Sequence, residues 1–156
     1  MSMGLPNPNP TYKALSDLAI DLKGAVVISH SQSGAYPLEA ALVNPNGIKA
    51  MILVEPGRYP NHYTSEQFAL VSKILTLVVF GDNLNQPTGV PHSWQTAYEG
   101  CKTYIEKVNA AGGKAEMFYL PEKGIKGNSH MLMQDKNNLQ VADMILAWIV
   151  KNVAKI

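Results

Sequence analysis

The chain has 156 residues, of which 46% are hydrophobic and 16% charged, and its formal net charge is +1. This composition is typical of one globular domain with a sizeable core, and without a basic run neither nucleic acid nor an anionic membrane is an expected partner. No apolar stretch is long enough to span a membrane, the start of the chain lacks a signal-peptide pattern, and the single Cys101 excludes an internal disulfide, so the compartment stays open.

The first half of the chain alternates helical and extended patterns. Residues 1–10 predict an extended lead-in, because three closely spaced prolines exclude the interior of a helix or strand. The pattern then predicts a helix over 11–22, a buried strand over 25–29 ("AVVIS"), a helix over about 34–43, and a second buried strand that starts with "IKAMILV" and ends at Pro56 and Gly57.

The second half continues this alternation. It predicts a weaker helix near 64–72, a third strand within "ILTLVVFGDN", a helix over 93–110, a fourth strand in "KAEMFYL" and a closing helix over 137–153. Apolar strands that alternate with helices predict an α/β fold, with a parallel sheet covered by helices on both faces. Functional sites in such sheets gather where the strands end.

The segment "SHSQSG" joins the first strand to the next helix. A sharp turn there would expose the side chain of Ser31 at its apex, with Ser29 and Ser33 as the small flanking residues that such a turn needs. The backbone N–H of Gln32 would then face a developing oxyanion. The alternative is an ordinary serine-containing turn that caps a helix.

A serine nucleophile needs a base, and the chain has four histidines. His30 adjoins the apex, so we expect its side chain to point away from it and to pack. His62 and His92 fall in polar loops without metal-ligand spacing, so a surface position is expected for both. His130 follows the fourth strand and would enter the same rim as Ser31, which makes it the predicted base, in the chain order serine, acid, histidine of α/β-hydrolases.

Two carboxylates are candidates for the acid. Asp82 follows the third strand but comes directly after Gly81, about two residues earlier than is usual, so it could instead brace the loop. Glu55 ends the second strand, where an unpaired buried carboxylate would be costly. The residues favour Glu55 over Asp82 without deciding between them.

Four segments of the sequence resemble the C-terminal half of a group of bacterial and fungal esterases with the α/β-hydrolase fold: "SHSQSG", "VEPG", "VVFGDN" and "GNSHMLMQDKNNLQVADMILAWI". The resemblance spans nearly all of residues 10–152. It implies Ser31 as nucleophile, Glu55 as acid and His130 as base, with the Gln32 amide in the oxyanion hole.

The sequence departs from that group before the nucleophile, where several strands are expected and only one helix is predicted. The strand over 25–29 would therefore present an apolar edge with unpaired backbone groups. We expect it to pair with the N-terminal half of the same enzyme or with a second chain, as in a nicked or split protein, or with a second copy in a homodimer.

The predicted activity is hydrolysis of a small carboxylic ester through an acyl-enzyme, with neither a metal nor another cofactor. Two alternatives stay open: a catalytically silent binding half-domain, and another chemistry of the fold, such as acyl transfer or a lyase reaction. Tyr36, Tyr59 and Met131, with Met133, are candidates for an apolar acyl pocket, although core packing is the commoner role for any one of them.

Overall fold

The computed structural model of the protein describes residues 9–87 and 93–153. The helices are α1 (Pro10–Asp21), α2 (Tyr36–Val43), α3 (Ser65–Val71), α4 (Trp94–Ala110) and α5 (Asn138–Asn152). The strands are β1 (Ala25–His30), β2 (Ile48–Val54), β3 (Leu75–Phe80) and β4 (Ala115–Tyr119). Each predicted element is thus found within a few residues of its expected position.

The start of α1 shortens the predicted lead-in. Residues 1–8 of that lead-in lie outside the described residues, and Pro10 already belongs to the helix. The Asn9 side chain accepts a hydrogen bond of 3.0 Å from the Thr11 N–H and so caps the helix. Proline suits this position because the first N–H groups of a helix have no intrahelical partner.

The described strands form one parallel sheet in the order β1-β2-β3-β4. The helices α2, α3 and α4 connect successive strands and pack on one face, and α5 covers part of the other. Neighbouring residues such as Leu53 and Val54 of β2 therefore belong to different halves of the core. The parallel α/β sheet with helices on both faces is confirmed.

The edge strand β1 is the least covered part of the sheet. Among the described residues it pairs only with β2, and its Ile28 side chain is 58% exposed. An open groove of about 350 Å³ runs beside it. The apolar residues that line this groove come from α1, β1 and α2: Leu15, Leu18, Val27, Ile28, Tyr36 and Pro37.

Two further features concern the lengths of the helices and the single cysteine. In the two ranges that the structure covers, every helix is too short or too polar to cross a membrane. Cys101 lies buried in α4, where burial raises the pKa of its thiol to about 12.

Candidate active site

Ser31 stands at a strained turn directly after β1. His30 is still extended, with φ of −137°, whereas Ser31 has φ of +58° and begins a 3₁₀ turn over Ser31–Ala35. A left-handed conformation of this kind costs a residue other than glycine about 1–3 kcal/mol and persists only where its surroundings enforce it. Ser31 is therefore the apex of the turn, as the sequence predicts.

The segment after β2 holds this turn in place. The Gly57 N–H donates a hydrogen bond of 2.9 Å to the Ser31 carbonyl. Gly34 lies so close to Pro56 that a Cβ atom at position 34 would be 2.4 Å from the Pro56 Cβ. The residue that must be small is thus Gly34.

The two flanking serines also bind the backbone of the turn. The Ser33 hydroxyl donates to the His30 carbonyl at 2.9 Å, and the Ser29 hydroxyl donates to the Gly34 carbonyl at 3.4 Å. Both side chains therefore satisfy backbone groups of the turn, in addition to being small.

The structure brings Ser31, His130 and Glu55 together. The Ser31 Oγ lies 2.8 Å from His130 Nε2, and His130 Nδ1 lies 2.7 Å from Glu55 Oε2. Because an ionised carboxylate can only accept, Nδ1 carries the proton of a neutral imidazole, and Nε2 is free to accept from the serine hydroxyl. This is the tautomer that a general base acting on Ser31 requires.

Glu55 is buried at the end of β2. Its side chain is almost fully enclosed, with 1% of the residue exposed, and its Oε1 accepts a hydrogen bond of 2.8 Å from the Gly81 N–H. Burial raises the pKa of the Glu55 carboxyl, and the hydrogen bonds from His130 and Gly81 oppose that rise. Gly81 has no room for a side chain, since a Cβ there would lie 2.9 Å from the Cβ of Asn128.

Asp82 supports the loop that carries the histidine. Its Oδ2 accepts from the Gly127 N–H at 2.8 Å and its Oδ1 from the Asn128 N–H at 3.3 Å. The second carboxylate considered from the sequence thus braces the loop, while Glu55 contacts the imidazole.

A polar network fixes the rest of this loop. The Asn128 side chain is fully buried and donates to Asn137 at 2.8 Å and to Asp135 at 3.3 Å. Asp135 also accepts from both the N–H and the hydroxyl of Ser129, each at 2.8 Å. Burial favours a higher pKa for the Asp135 carboxyl, but the hydrogen bonds from Ser129 and Asn128 outweigh it and lower that pKa.

Two aromatic rings flank the His130 imidazole, and sequence reasoning missed both. Trp94 stacks on it with a centroid distance of 3.9 Å, and the His30 ring lies 4.6 Å away. His30 was expected to point away from the apex, but its Nε2 lies 2.7 Å from the His130 carbonyl oxygen. The adjacency of His30 to Ser31 is the only signal that the sequence offers, since nothing in it links Trp94 to residue 130.

Of the other predicted site residues, Gln32 and Met131 adjoin members of the candidate triad, whereas Tyr36 lies in the groove beside β1. Gln32 is exposed directly after Ser31, in the first turn of the 3₁₀ helix, where N–H groups have no intrahelical partner. Met131 adjoins His130 and is 39% exposed. Tyr36 packs edge-to-face on Tyr12 at 5.3 Å and lines the groove beside β1.

Tyr59 packs against α4, and the other two histidines lie at the surface or outside the described residues. The Tyr59 ring packs on Gly100 of α4, where its carbons lie 2.2–2.4 Å from the position of a Cβ. His62 is exposed beside Tyr63, as predicted, and His92 lies outside the described residues. Over the described ranges, no group of three or more His, Cys, Asp or Glu side chains could hold a metal ion.

Comparison with known proteins gives relatives of the lipase and esterase type. The chain is 25% identical to a probable secreted lipase, phiG, of a fungus (strain ATCC 74256), in a match that covers 89% of this chain and 49% of the lipase. It is 49% identical to a novel bacterial esterase of atomic-resolution structure, with a TM-score of 0.85 over 96% of this chain and 45% of the esterase. A search against models of protein families found no match.

A further solved structure, esterase PE8, is 19% identical, has a TM-score of 0.58 and shares the fold alone, over 88% of this chain and 60% of its own. The chain thus spans about half the length of the lipase and of the first esterase. Its sheet corresponds to part of an α/β-hydrolase fold. By their names, these similar proteins are a lipase and two esterases.

Proposed function

We propose that this chain carries the catalytic triad of a carboxylic ester hydrolase, with Ser31 as nucleophile, His130 as general base and Glu55 as its acid. The observation that carries the proposal is the continuous hydrogen-bonded line from the Ser31 hydroxyl to the Glu55 carboxylate, with distances of 2.8 and 2.7 Å. Similarity to a lipase and an esterase supports it.

The reaction begins with acylation. His130 Nε2 takes the proton of the Ser31 hydroxyl as Oγ attacks the ester carbonyl carbon, and the carbonyl π electrons move to its oxygen. The backbone N–H of Gln32 donates to that oxyanion. When the tetrahedral intermediate collapses, the C–O bond to the alcohol breaks, His130 returns the proton to the departing oxygen, and an acyl-Ser31 ester is left.

Water then completes the cycle. His130 removes a proton from the water as its oxygen attacks the acyl carbon, and the same proton is returned to Ser31 Oγ when the acid leaves. Glu55 stabilises the imidazolium that forms in both steps and holds the ring in the required orientation. The strained φ of +58° at Ser31 keeps Oγ at the apex throughout.

We further propose that another polypeptide segment pairs with β1. The exposed Ile28 side chain and the groove beside it support this, because an uncovered apolar strand edge favours association. If no segment pairs there and the chain alone does not turn over esters, the second candidate function applies: a silent half-domain with an incomplete oxyanion hole. Loss of one oxyanion donor typically costs about 10²- to 10³-fold in rate.

The test uses the chain alone and the chain co-expressed with the portion of the similar bacterial esterase that it does not cover. Each preparation is treated with a fluorophosphonate, the adduct is mapped by peptide mass, and turnover of p-nitrophenyl acetate is measured. We expect an adduct on Ser31 that disappears in Ser31→Ala and persists in the control Ser29→Ala. An adduct on Ser29 or Ser33 with Ser31 untouched, or no adduct in either preparation, would contradict the proposal.

A further inference from the structure

His30 links the two halves of the candidate triad. It is the last residue of β1 and directly precedes Ser31. Its Nε2 lies 2.7 Å from the carbonyl oxygen of His130, although 100 residues separate the two in the chain. Since a carbonyl oxygen only accepts, the His30 Nε2 carries a proton and donates it to this bond.

This bond closes a ring of contacts. His30, at the end of β1, is covalently bonded to Ser31, and the Ser31 hydroxyl contacts the His130 imidazole at 2.8 Å. The His30 side chain in turn binds the His130 backbone, which brings the connection back to the end of β1. A shift of the loop away from β1 would therefore lengthen the contact between serine and base and the His30 bond together.

The imidazole of His130 is also packed against two aromatic rings. Trp94 stacks on it with planes 27° apart, and the His30 ring lies against it with planes 34° apart. The His130 side chain itself is 27% exposed, so the loop lies partly at the surface. A partly exposed base on a loop needs such restraint, because a misplacement of about 1 Å can cost about 10²-fold in rate.

We propose that His30 is a positioning residue for the general base, which acts through its N–H···O bond to the His130 backbone. The inference rests on the proposed function, and it deepens it by assigning a role to the residue before the nucleophile. The neighbouring carboxylates have other partners: Glu55 contacts the imidazole itself, and Asp82 bonds the N–H groups of Gly127 and Asn128.

Two substitutions distinguish the effect of the hydrogen bond that His30 donates from the effect of its ring packing on His130. His30→Phe keeps an aromatic ring beside His130 and removes the donor. His30→Gln removes the ring but keeps an N–H at the same number of bonds from Cα as the histidine Nε2. His62→Phe, at an exposed histidine, is the matched control.

The assay uses the preparation that reacts with fluorophosphonate, and rates are divided by the number of titrated active sites so that unfolded protein does not count. We expect His30→Phe to lower kcat per site about 10²-fold with KM nearly unchanged. His30→Gln should recover at least a tenth of the original kcat, and His62→Phe should match the unsubstituted protein. Equal losses in the Phe and Gln variants, or no loss in the Phe variant, would overturn the proposal.

Nuclear magnetic resonance of histidine-labelled protein gives a readout apart from turnover. We expect the His30 Nε2 to be protonated and the proton between His130 Nδ1 and Glu55 to be visible far downfield. That downfield signal should broaden or vanish in His30→Phe and persist in His30→Gln. If the downfield signal is lost in His30→Phe and kept in His30→Gln but Ser31 fails to react with fluorophosphonate, the proposed hydrolysis is wrong and the positioning of His130 by His30 is retained. An unchanged downfield signal in His30→Phe would overturn the positioning.

Discussion

The Glu55 carboxylate and the His130 imidazole lie 2.7 Å apart, although 75 residues separate them in the chain. Glu55 reaches the ring from the end of β2, with a positive φ of 40° that turns the backbone out of the strand. Its other oxygen is fixed by the Gly81 N–H at the end of β3. Two adjacent strand ends thus determine where the carboxylate meets the histidine.

Replacement of Glu55 by glutamine should abolish most of the activity. The amide oxygen can still accept from the Gly81 N–H, but its NH₂ group would then face His130 Nδ1 as a donor. The neutral imidazole would have to carry its proton on Nε2, where it could not accept from Ser31. We expect kcat to fall by about 10³-fold or more, as in the variant His130→Ala, measured with p-nitrophenyl acetate.

Asp82→Asn should damage the loop and leave much of the chemistry. Asparagine has one acceptor oxygen, so it can keep only one of the two bonds to Gly127 and Asn128. We expect a loss of about 1–3 kcal/mol in the free energy of unfolding, measured in urea. The loss of kcat should be much smaller than in Glu55→Gln. If Asp82→Asn proved the more damaging of the two to kcat, Glu55 would lose its assigned role.

The burial of Glu55 also gives a pH dependence of stability. Because burial raises its pKa above the ordinary 4.5, the folded protein holds this proton at pH values where the unfolded chain has lost it. The contribution of Glu55 to the free energy of unfolding therefore falls as the pH rises from below 4.5 through the folded-state pKa.

Glutamine cannot ionise, so the Glu55→Gln variant should escape this loss. We expect the Tm of the variant minus the Tm of the unsubstituted protein, both measured by scanning calorimetry, to increase from pH 4 to pH 7. Asp82→Asn is the control, since it leaves Glu55 in place. A Tm difference for Glu55→Gln that does not change with pH would show that Glu55 ionises without cost in the folded protein.

Gly34→Ala should destabilise the turn at Ser31. The new Cβ would lie 2.4 Å from the Pro56 Cβ and 2.6 Å from its Cα, so backbone would have to move. We expect a loss of about 1–3 kcal/mol or more in urea unfolding and slower fluorophosphonate labelling of Ser31. Gly57→Ala is the matched control, because its Cβ would meet no atom closer than 3.5 Å. Equal effects of the two changes would argue against the close packing of Gly34.

The order of elements, and the meeting of Ser31, Glu55 and His130 in the candidate site, could be predicted because both follow from local patterns. Continuous apolar runs gave the strands, and parallel strands end at one edge of the sheet, which brings the segments after β1, β2 and β4 together. Spacing alone does not separate Glu55 from Asp82, because both bind the segment that carries His130: Glu55 contacts the imidazole, and Asp82 accepts from the N–H groups of Gly127 and Asn128.

The contacts of His30, Gly34 and Trp94 could not be predicted from the sequence. Each depends on how one loop or helix start docks against another: His30 on the His130 backbone, Gly34 on Pro56, and Trp94 on the His130 ring. Such contacts arise between segments that are far apart in the chain, and residue type alone does not encode them. The sequence therefore predicts only a packing role for His30.

The last prediction concerns the exposed edge of β1. Ile28 is 58% exposed, and each apolar side chain left in water forgoes roughly 1.5–3 kcal/mol of burial, against a total domain stability of only about 5–15 kcal/mol. We therefore expect that residues 1–156 alone do not form a stable, active monomer, and that the segment which pairs with β1 covers Ile28. Sedimentation and p-nitrophenyl acetate turnover of the chain alone test this directly.

The variant Ile28→Asp sharpens that test. In the chain alone the aspartate would face water and should not lower stability, whereas beside a paired segment it would place a charge in an apolar contact. We expect it to reduce self-association, or binding of the complementing esterase portion, at least tenfold and to reduce turnover accordingly. Val43→Asp, at a residue of α2 that is 53% exposed, is the control and should change neither. A well-folded monomer with full esterase activity, or an Ile28→Asp variant that associates and turns over normally, would show that nothing pairs with β1.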